Sequence, residues 1–328
     1  MTNAYPFFRH VYRDDQMRAH AERRRIGIDL LRYARNRSLL PLEWAFRRRF
    51  QDAQYPVVFI VGVPRSGTTL LYQLIARFLR VAYITNRMAR YWMTPITGAL
   101  LSGRIDRSQI ALESSYGAGA TDMSPHEYSW FWQFYGHLQD HDDLDEQALA
   151  AIDWRSIRAS LSGLAEYSRA PLVLKSLNFV DYQIPCLRRQ IPKAKFIWIE
   201  RDDVATARSI LEVRTTRYGD PSIWWSVRPR DFRHWAERPA EEQVAHQLTD
   251  IKSSIQSAFS SLEPSAAIKT SYETLVSSPA RVMLDLAEFL GVDFIDHDSL
   301  ELLELNPSSA RADRPLENRI VNALGGRK

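Results

Sequence analysis

A single cysteine, Cys186, stands in 328 residues. Neither an intrachain disulfide nor a thiolate metal cluster can form, and a reducing cytoplasm is the compartment expected. Long apolar runs are missing as well: the best candidates are broken by Arg77 and Arg80, short of the roughly 20 apolar residues that a membrane-spanning helix needs. The start, "MTNAYPFFRHVYRDD", lacks the basic, apolar and small-residue sections of a secretory leader. No internal repeat and no low-complexity tract occurs. What remains is a globular balance, 45% apolar and 25% charged, with a net charge of +4. The basic side chains are overwhelmingly arginine, whose planar fork suits phosphate and sulfate, so an anionic ligand is expected.

Segments 1–50 are helical in pattern and arginine-rich. "ERRRIGIDLLRYARNR" and "PLEWAFRRRF" predict helices that pack on the core through Ile26, Ile28, Leu30, Leu31 and Trp44. A contact with a membrane surface or a polyanion is the alternative for this segment. After Pro56, short runs alternate with helical spacing. "VVFIVG", "LVLKS", "KFIWIE" and "AAIKT" read as buried parallel strands, with "VAYIT" a weaker candidate. "TTLLYQLIARFL", "VDYQIPCLRRQI", "DVATARSILEVR" and "EQVAHQLTDIKSSIQSAFSSL" read as helices. The alternation predicts one α/β domain over 1–328, a three-layer fold around a central parallel sheet. Residues 91–170, rich in Gly, aromatic and acidic side chains, break the rhythm and read as an insertion over the mouth of the site. Residues 293–328 form a tail without an assigned role.

"GVPRSGTT", residues 62–69, follows a strand and opens a helix. Such a turn presents consecutive N–H groups at a helix N-terminus, where the peptide dipoles also favour an anion. The nucleotide-binding pattern GxxxxGK[ST] has a lysine for the β- and γ-phosphates and a hydroxyl for magnesium. Here Gly62 and Gly67 keep the spacing and Thr69 keeps the hydroxyl, while Thr68 replaces the lysine. Arg65 supplies a permanently charged fork instead, and Ser66, Thr68 and Thr69 add hydroxyl donors. Such a loop holds a tetrahedral anion without a metal. Further along, Arg201 closes a strand and Ser209 lies on the next helix, so both face the carboxyl edge of the sheet, where α/β folds bind ligands.

"PRSGTTLL" resembles the 5′-phosphosulfate loop of sulfotransferases that use 3′-phosphoadenosine 5′-phosphosulfate (PAPS), in the bacterial branch with arginine in the loop. "KAKFIWIERDDVATARSIL" resembles the 3′-phosphate segment of that family, and "TSYETLVSSPARVMLDLAEFLGV" is similar to a third block of it. The resemblance covers residues 56–292. It implies the P-loop NTPase-like fold of the sulfotransferase type. It also implies PAPS as donor and adenosine 3′,5′-bisphosphate as product, with Arg65, Ser66, Gly67, Thr68, Thr69, Arg201 and Ser209 around the donor and Tyr272 near the adenine.

Lys175 ends a strand expected beside the Gly62 strand, within reach of the sulfuryl group, with Ser176 and Asn178 to orient it. Cytosolic members of the family carry a catalytic histidine shortly after the matching lysine, and this chain has none there. In "TDMSPHEYSWFWQFYGH", Pro125, His126 and Glu127 open an aromatic-rich stretch similar to the segment where the bacterial branch carries its acidic residue. Glu127, desolvated among Tyr128, Trp130, Phe131 and Trp132, would have a raised pKa and serve as base. His126 is the other candidate. Catalysis is thus expected from Arg65, Lys175 and either Glu127 or His126.

The acceptor is read as a hydroxyl on a glycan, a lipid or a small natural product, with Tyr116, Tyr128, Trp130, Trp132, Tyr135, Trp224 and Trp225 available for stacking. A homodimer is open to the chain. Two rival classes are a P-loop kinase or nucleotidase, with Glu200, Asp202 and Asp203 as a magnesium-binding strand end, and a nucleic-acid binder, suggested by basic runs but lacking a recognised module.

Overall fold

Val57–Val61 (β1) has a β-branched or aromatic side chain at every position, and every position is buried. Phe59 and Val61 point into one apolar cluster, Val58 and Ile60 into another. A strand buried on both faces belongs in the middle of a layered fold. Around it lie Ala82–Tyr83 (β2), Leu172–Lys175 (β3), Lys195–Glu200 (β4) and Ala267–Ser271 (β5), in the order β2-β3-β1-β4-β5 and all parallel. All five expected strands are present, the weak one reduced to two residues, but β5, expected to be buried, is an edge strand that is only partly covered. The computed structural model describes residues 26–50, 54–112, 114–115, 118–119, 121–136, 142–306 and 313–325.

The helices used below are α1 (Ile26–Arg49), α2 (Thr68–Phe78), α3 (Pro95–Ser102), α4 (Ser129–Gly136), α5 (Trp154–Ser168), α6 (Leu177–Val180), α7 (Ile184–Gln190), α8 (Asp203–Tyr218), α9 (Ala240–Phe259), α10 (Tyr272–Ser277), α11 (Pro279–Leu290) and α12 (Arg314–Gly325). Leu71, Leu74, Ile75 and Phe78 of α2 join Val282, Met283 and Leu286 of α11 on one face of the sheet. On the other face Ile157, Leu161 and Leu164 of α5 join Ile210 of α8 and Leu248 and Ile251 of α9. This is the expected three-layer α/β architecture. The chain leaves β1 for the first face and β4 for the second, so a crevice opens between their carboxyl ends, the place where such sheets receive ligands.

The helix expected across "VDYQIPCLRRQI" starts later than its first residues: Val180 ends α6, 181–183 form a turn, and α7 begins at Ile184. Pro185 stands in the first turn of α7, a position suited to a residue with no N–H, and starts a new helix. The turn between α6 and α7 directs Asp181 into the interior, fully buried.

The N-terminal helix corrects the sequence-based expectation. Leu30, Leu31 and Trp44, expected to pack inward, are exposed, Leu31 at 73% and Trp44 at 56%. The side chains of Ile26 and Ile28 lie outside the described residues. The buried stripe is instead polar: Asp29, Asn36 and Glu43, at successive heptad steps. Asn36 donates to the Arg90 carbonyl at 2.9 Å and accepts from the Met93 N–H at 3.1 Å. The Glu43 carboxylate accepts from the N–H groups of Ile96 (3.2 Å) and Thr97 (2.9 Å) and from the Thr97 hydroxyl (2.9 Å). It therefore caps α3, whose first N–H groups have no partner within the helix. Burial pushes the Glu43 carboxyl above its ordinary range, against the lowering pull of the Thr97 N–H and Arg47. Hydrogen bonding to a neighbouring backbone, which leaves no periodic apolar signal, decides which face of α1 turns inward.

Glu43→Ala would leave the α3 donors buried without an acceptor. It should lower the free energy of unfolding by about 2–4 kcal/mol, read as a lower urea midpoint, and Glu43→Gln, which keeps an acceptor oxygen, should recover part of the loss.

Candidate functional site

The turn after β1 is shaped by close approach. Gly62 has φ 150°, and a Cβ there would sit 2.5 Å from the Ile199 carbonyl oxygen of β4. Gly67 has φ 96°, and its Cβ would meet the Tyr272 ring at 2.6 Å. Neither position admits a side chain without a shift of its surroundings. Gly67 is also the N-cap of α2 and so brings no side-chain acceptor to the helix start. Thr68 and Thr69 begin α2. The Ser66 hydroxyl is buried and has no hydrogen-bond partner. The turn thus collects N–H and O–H donors at a helix N-terminus.

Arg65 adopts φ 72°, a left-handed conformation uncommon for a residue with a side chain. Backbone of this kind costs roughly 1–3 kcal/mol and persists where the surroundings enforce it. Two hydrogen bonds do so: Arg65 Nε donates to Ser209 Oγ at 3.0 Å, and Arg201 Nη1 donates to the Arg65 carbonyl at 3.1 Å. The Arg201 guanidinium in turn lies 4.3 Å from the centroid of the Tyr272 ring. Arg65, Gly67, Arg201, Ser209 and Tyr272, predicted from three separate blocks, therefore meet at the crevice between β1 and β4.

A second group lies on the other side of β1. Lys175 pairs in register with Ile60 at the end of β3, as expected, and is buried. Its ammonium donates to the Glu127 carboxylate. Ser176 Oγ donates to the Glu127 carbonyl at 2.6 Å and accepts from Trp132 Nε1 at 2.7 Å. The preceding segment is fixed to the sheet, since the His126 N–H donates to the Ile84 carbonyl just beyond β2 at 2.9 Å. β2 neighbours β3, so this bond carries Glu127 to the tip of Lys175.

The surroundings of Glu127 differ from those expected. Its side chain is 34% exposed and ion-paired, not enclosed by aromatic rings. The rings pack on one another instead: Tyr128 stacks on Phe131 and Trp132 on Phe179. With Tyr135 and Trp224 they are buried core, which removes them as stacking platforms. Tyr116 lies outside the described residues. His126 is also constrained. Its Nδ1 accepts the Tyr128 N–H at 2.8 Å, so the neutral ring carries its hydrogen on Nε2. Burial pushes this imidazole below its ordinary range.

Two acids absent from the sequence-based set complete the site. Asp181 Oδ1 accepts the Gly62 N–H at 3.2 Å, and its Oδ2 is buried without a hydrogen-bond partner. Burial raises this carboxyl well above the usual carboxylate range, against the pull of the Gly62 N–H. Asp142 accepts from the Arg228 N–H at 2.8 Å and from Asn178 at 3.3 Å. Burial pushes it up to about 7. The only local hint was an acid inside the apolar run "LNFVDYQIP".

The acids assigned to the kinase alternative are engaged elsewhere. Glu200 pairs with Lys269 and Asp203 with Lys252, each at 2.7 Å, and Asp202 caps α8 through the Ala205 N–H. Among the described residues, no group of three or more His, Cys, Asp or Glu side chains is placed to hold a metal ion. The tail forms α12, which docks on α8 and α9 through buried Ile320, an Arg319–Glu241 pair at 2.6 Å and an Arg208–Glu317 pair at 2.5 Å.

The sequence pattern of the sulfotransferase family matches residues 56–296. Similar solved structures include the sulfotransferase domain from the curacin biosynthetic pathway, with 14% identity and a TM-score of 0.43, covering 84% of this chain and 99% of that one. The sulfotransferase STF9 from Mycobacterium avium has 15% identity and a TM-score of 0.47, covering 84% and 69%. The sulfotransferase domain of the Synechococcus PCC 7002 olefin synthase has 16% identity and a TM-score of 0.42, covering 84% and 96%. No curated protein matches the chain.

Folded Asp142 retains a proton that the unfolded chain releases above about pH 4. Its contribution to stability is therefore full below that pH and is lost as the pH rises through about 7. Asp142→Asn should match the parent near pH 4 and exceed it by about 2 kcal/mol near pH 8. Denaturant titrations across this range test the point, and a parent-to-variant difference that does not change with pH would refute it.

Proposed function

The chain belongs to the sulfotransferase family, and from that premise we propose that it transfers a sulfuryl group from PAPS to a hydroxyl of a carbohydrate, lipid or small natural-product acceptor. One observation carries the reading: Arg65, Ser209 and Arg201 are hydrogen-bonded into one unit at the crevice between β1 and β4. A donor with a 5′-phosphosulfate and a separate 3′-phosphate calls for two anion sites side by side. The residues fit it. The partnerless Ser66 hydroxyl and the α2 N–H groups lack a side-chain cap and suit the phosphosulfate, while Arg201 and Ser209 suit the second phosphate. Tyr272, against both Gly67 and Arg201, offers a flat surface for the adenine.

When bound, PAPS supplies a sulfuryl group already joined to a leaving phosphate. Glu127 accepts the proton of the acceptor hydroxyl, whose oxygen forms the new bond to sulfur. The bond from sulfur to the bridging phosphate oxygen breaks, and its electron pair leaves with adenosine 3′,5′-bisphosphate. Arg65, Lys175 and the loop N–H groups stabilise the charge that gathers on the phosphate and on the equatorial sulfuryl oxygens. Lys175 also holds the Glu127 carboxylate in place. Glu127 is favoured over His126 because the Nδ1 lone pair of His126 is committed to the Tyr128 N–H and its other nitrogen carries a hydrogen. The segment 91–170 contributes Glu127 and thereby borders the acceptor side of the site.

Arg65→Ala should lose about a hundredfold in turnover, the scale of one oxyanion donor. Glu127→Gln should lose at least as much in kcat with little change in donor affinity, and Arg201→Ala should chiefly weaken donor binding. Transfer from labelled PAPS across a panel of hydroxyl acceptors measures the first two. Calorimetry with adenosine 3′,5′-bisphosphate against ATP and magnesium measures the third; preference for ATP and magnesium would return the chain to the kinase class.

A further inference from the structure

Helix α1 buries its acids and exposes part of its apolar surface: Asp29, Asn36 and Glu43 are buried, Tyr33, Leu40 and Phe46 pack partly buried against the core, and Leu30, Leu31, Leu42 and Trp44 are exposed. On the exposed arc Leu31, Leu42 and Trp44 alternate with Arg37, Arg48 and Arg49. The Arg48 guanidinium lies 3.4 Å from the centroid of the Trp44 ring. Leu100 and Leu101 of α3, the helix that Glu43 caps, are exposed as well.

We propose that this face of α1 docks on an anionic lipid bilayer. Apolar side chains left exposed to water have something to gain from entering the acyl boundary. Tryptophan prefers the interface, where its ring is buried and its N–H stays wet. Arginine stems run along an apolar surface while their charges reach outward to lipid phosphates. Charge selects the occupant. The exposed arc holds arginines and no acid, so a second copy of the chain meeting it by two-fold symmetry would set cations against cations, whereas an anionic leaflet answers them. The burial of Asp29 and Glu43 is what leaves the arc without a negative charge. The inference is independent of the donor chemistry, although a lipid-borne hydroxyl would be concentrated at such a surface.

Flotation of the full chain with vesicles provides the test, using phosphatidylcholine alone and phosphatidylcholine mixed with an equal part of phosphatidylglycerol. The parent should float with the mixed vesicles, much less with phosphatidylcholine alone, and less as salt is raised. Leu31→Ser combined with Trp44→Ser, and separately Arg48→Glu combined with Arg49→Glu, should each weaken binding about tenfold or more. All four positions are exposed, so the thermal unfolding midpoint should stay with the parent and show that the loss is not misfolding. Binding that is absent, equal on both vesicles, or unchanged in these variants would overturn the proposal. So would a dimer, or retention of nucleic acid, that depends on the same residues in a chain that ignores vesicles.

Discussion

Arg65 stands at the centre of the fold's chemistry because its backbone conformation is one that a side chain disfavours. A left-handed arginine between Pro64 and Ser66 persists only if something outside the loop holds it, and Ser209 and Arg201 do so across 144 and 136 residues of chain. The same bonds bring the loop after β1 against the helix after β4. The crevice at the sheet edge and the strain in the loop are therefore one constraint, and loss of either arm frees the other. Gly62 and Gly67 complete it by letting the backbone approach Ile199 and Tyr272 more closely than any Cβ permits.

On the far side of β1 charge is managed by burial. Lys175 is buried, and Glu127 reaches it from a segment pinned to the end of β2. Asp181, against the Gly62 N–H, and Asp142, against Arg228 and Asn178, are shifted towards their neutral forms by burial. A neutral acid can receive the Gly62 N–H without placing a full negative charge under a turn that collects N–H and O–H donors. The site is thus cationic where an anion would sit, although acidic residues surround it.

Strand positions and the glycine turn after β1 were legible in the sequence for local reasons. A run such as "VVFIV" has no polar position to offer solvent, and two glycines at fixed spacing between a strand and a helix have few other uses. Glu127 was recognised, but the expected environment was wrong: the aromatic neighbours in sequence pack on each other, while the carboxylate turns to a lysine 48 residues away. Asp181 went unseen because the turn that buries it exists only once Pro185 starts a new helix. The inward face of α1 was misread for a related reason. Apolar periodicity predicts burial only when packing drives it, and here hydrogen bonds between Asn36 and Glu43 and the backbone of residues 90–97 set the orientation.

By itself the sequence determined the layered α/β frame, the loop that opens α2, and the three blocks that carry its partners, since strand burial, glycine geometry and helix starts are written in neighbouring residues. Only the tertiary structure decided that Arg65, Ser209 and Arg201 bond to one another, that Glu127 answers Lys175, that Asp181 and Asp142 are buried, and that α1 leaves Leu30, Leu31, Leu42 and Trp44 exposed. Each of those depends on contacts between distant segments, and such contacts have no local periodicity from which to read them.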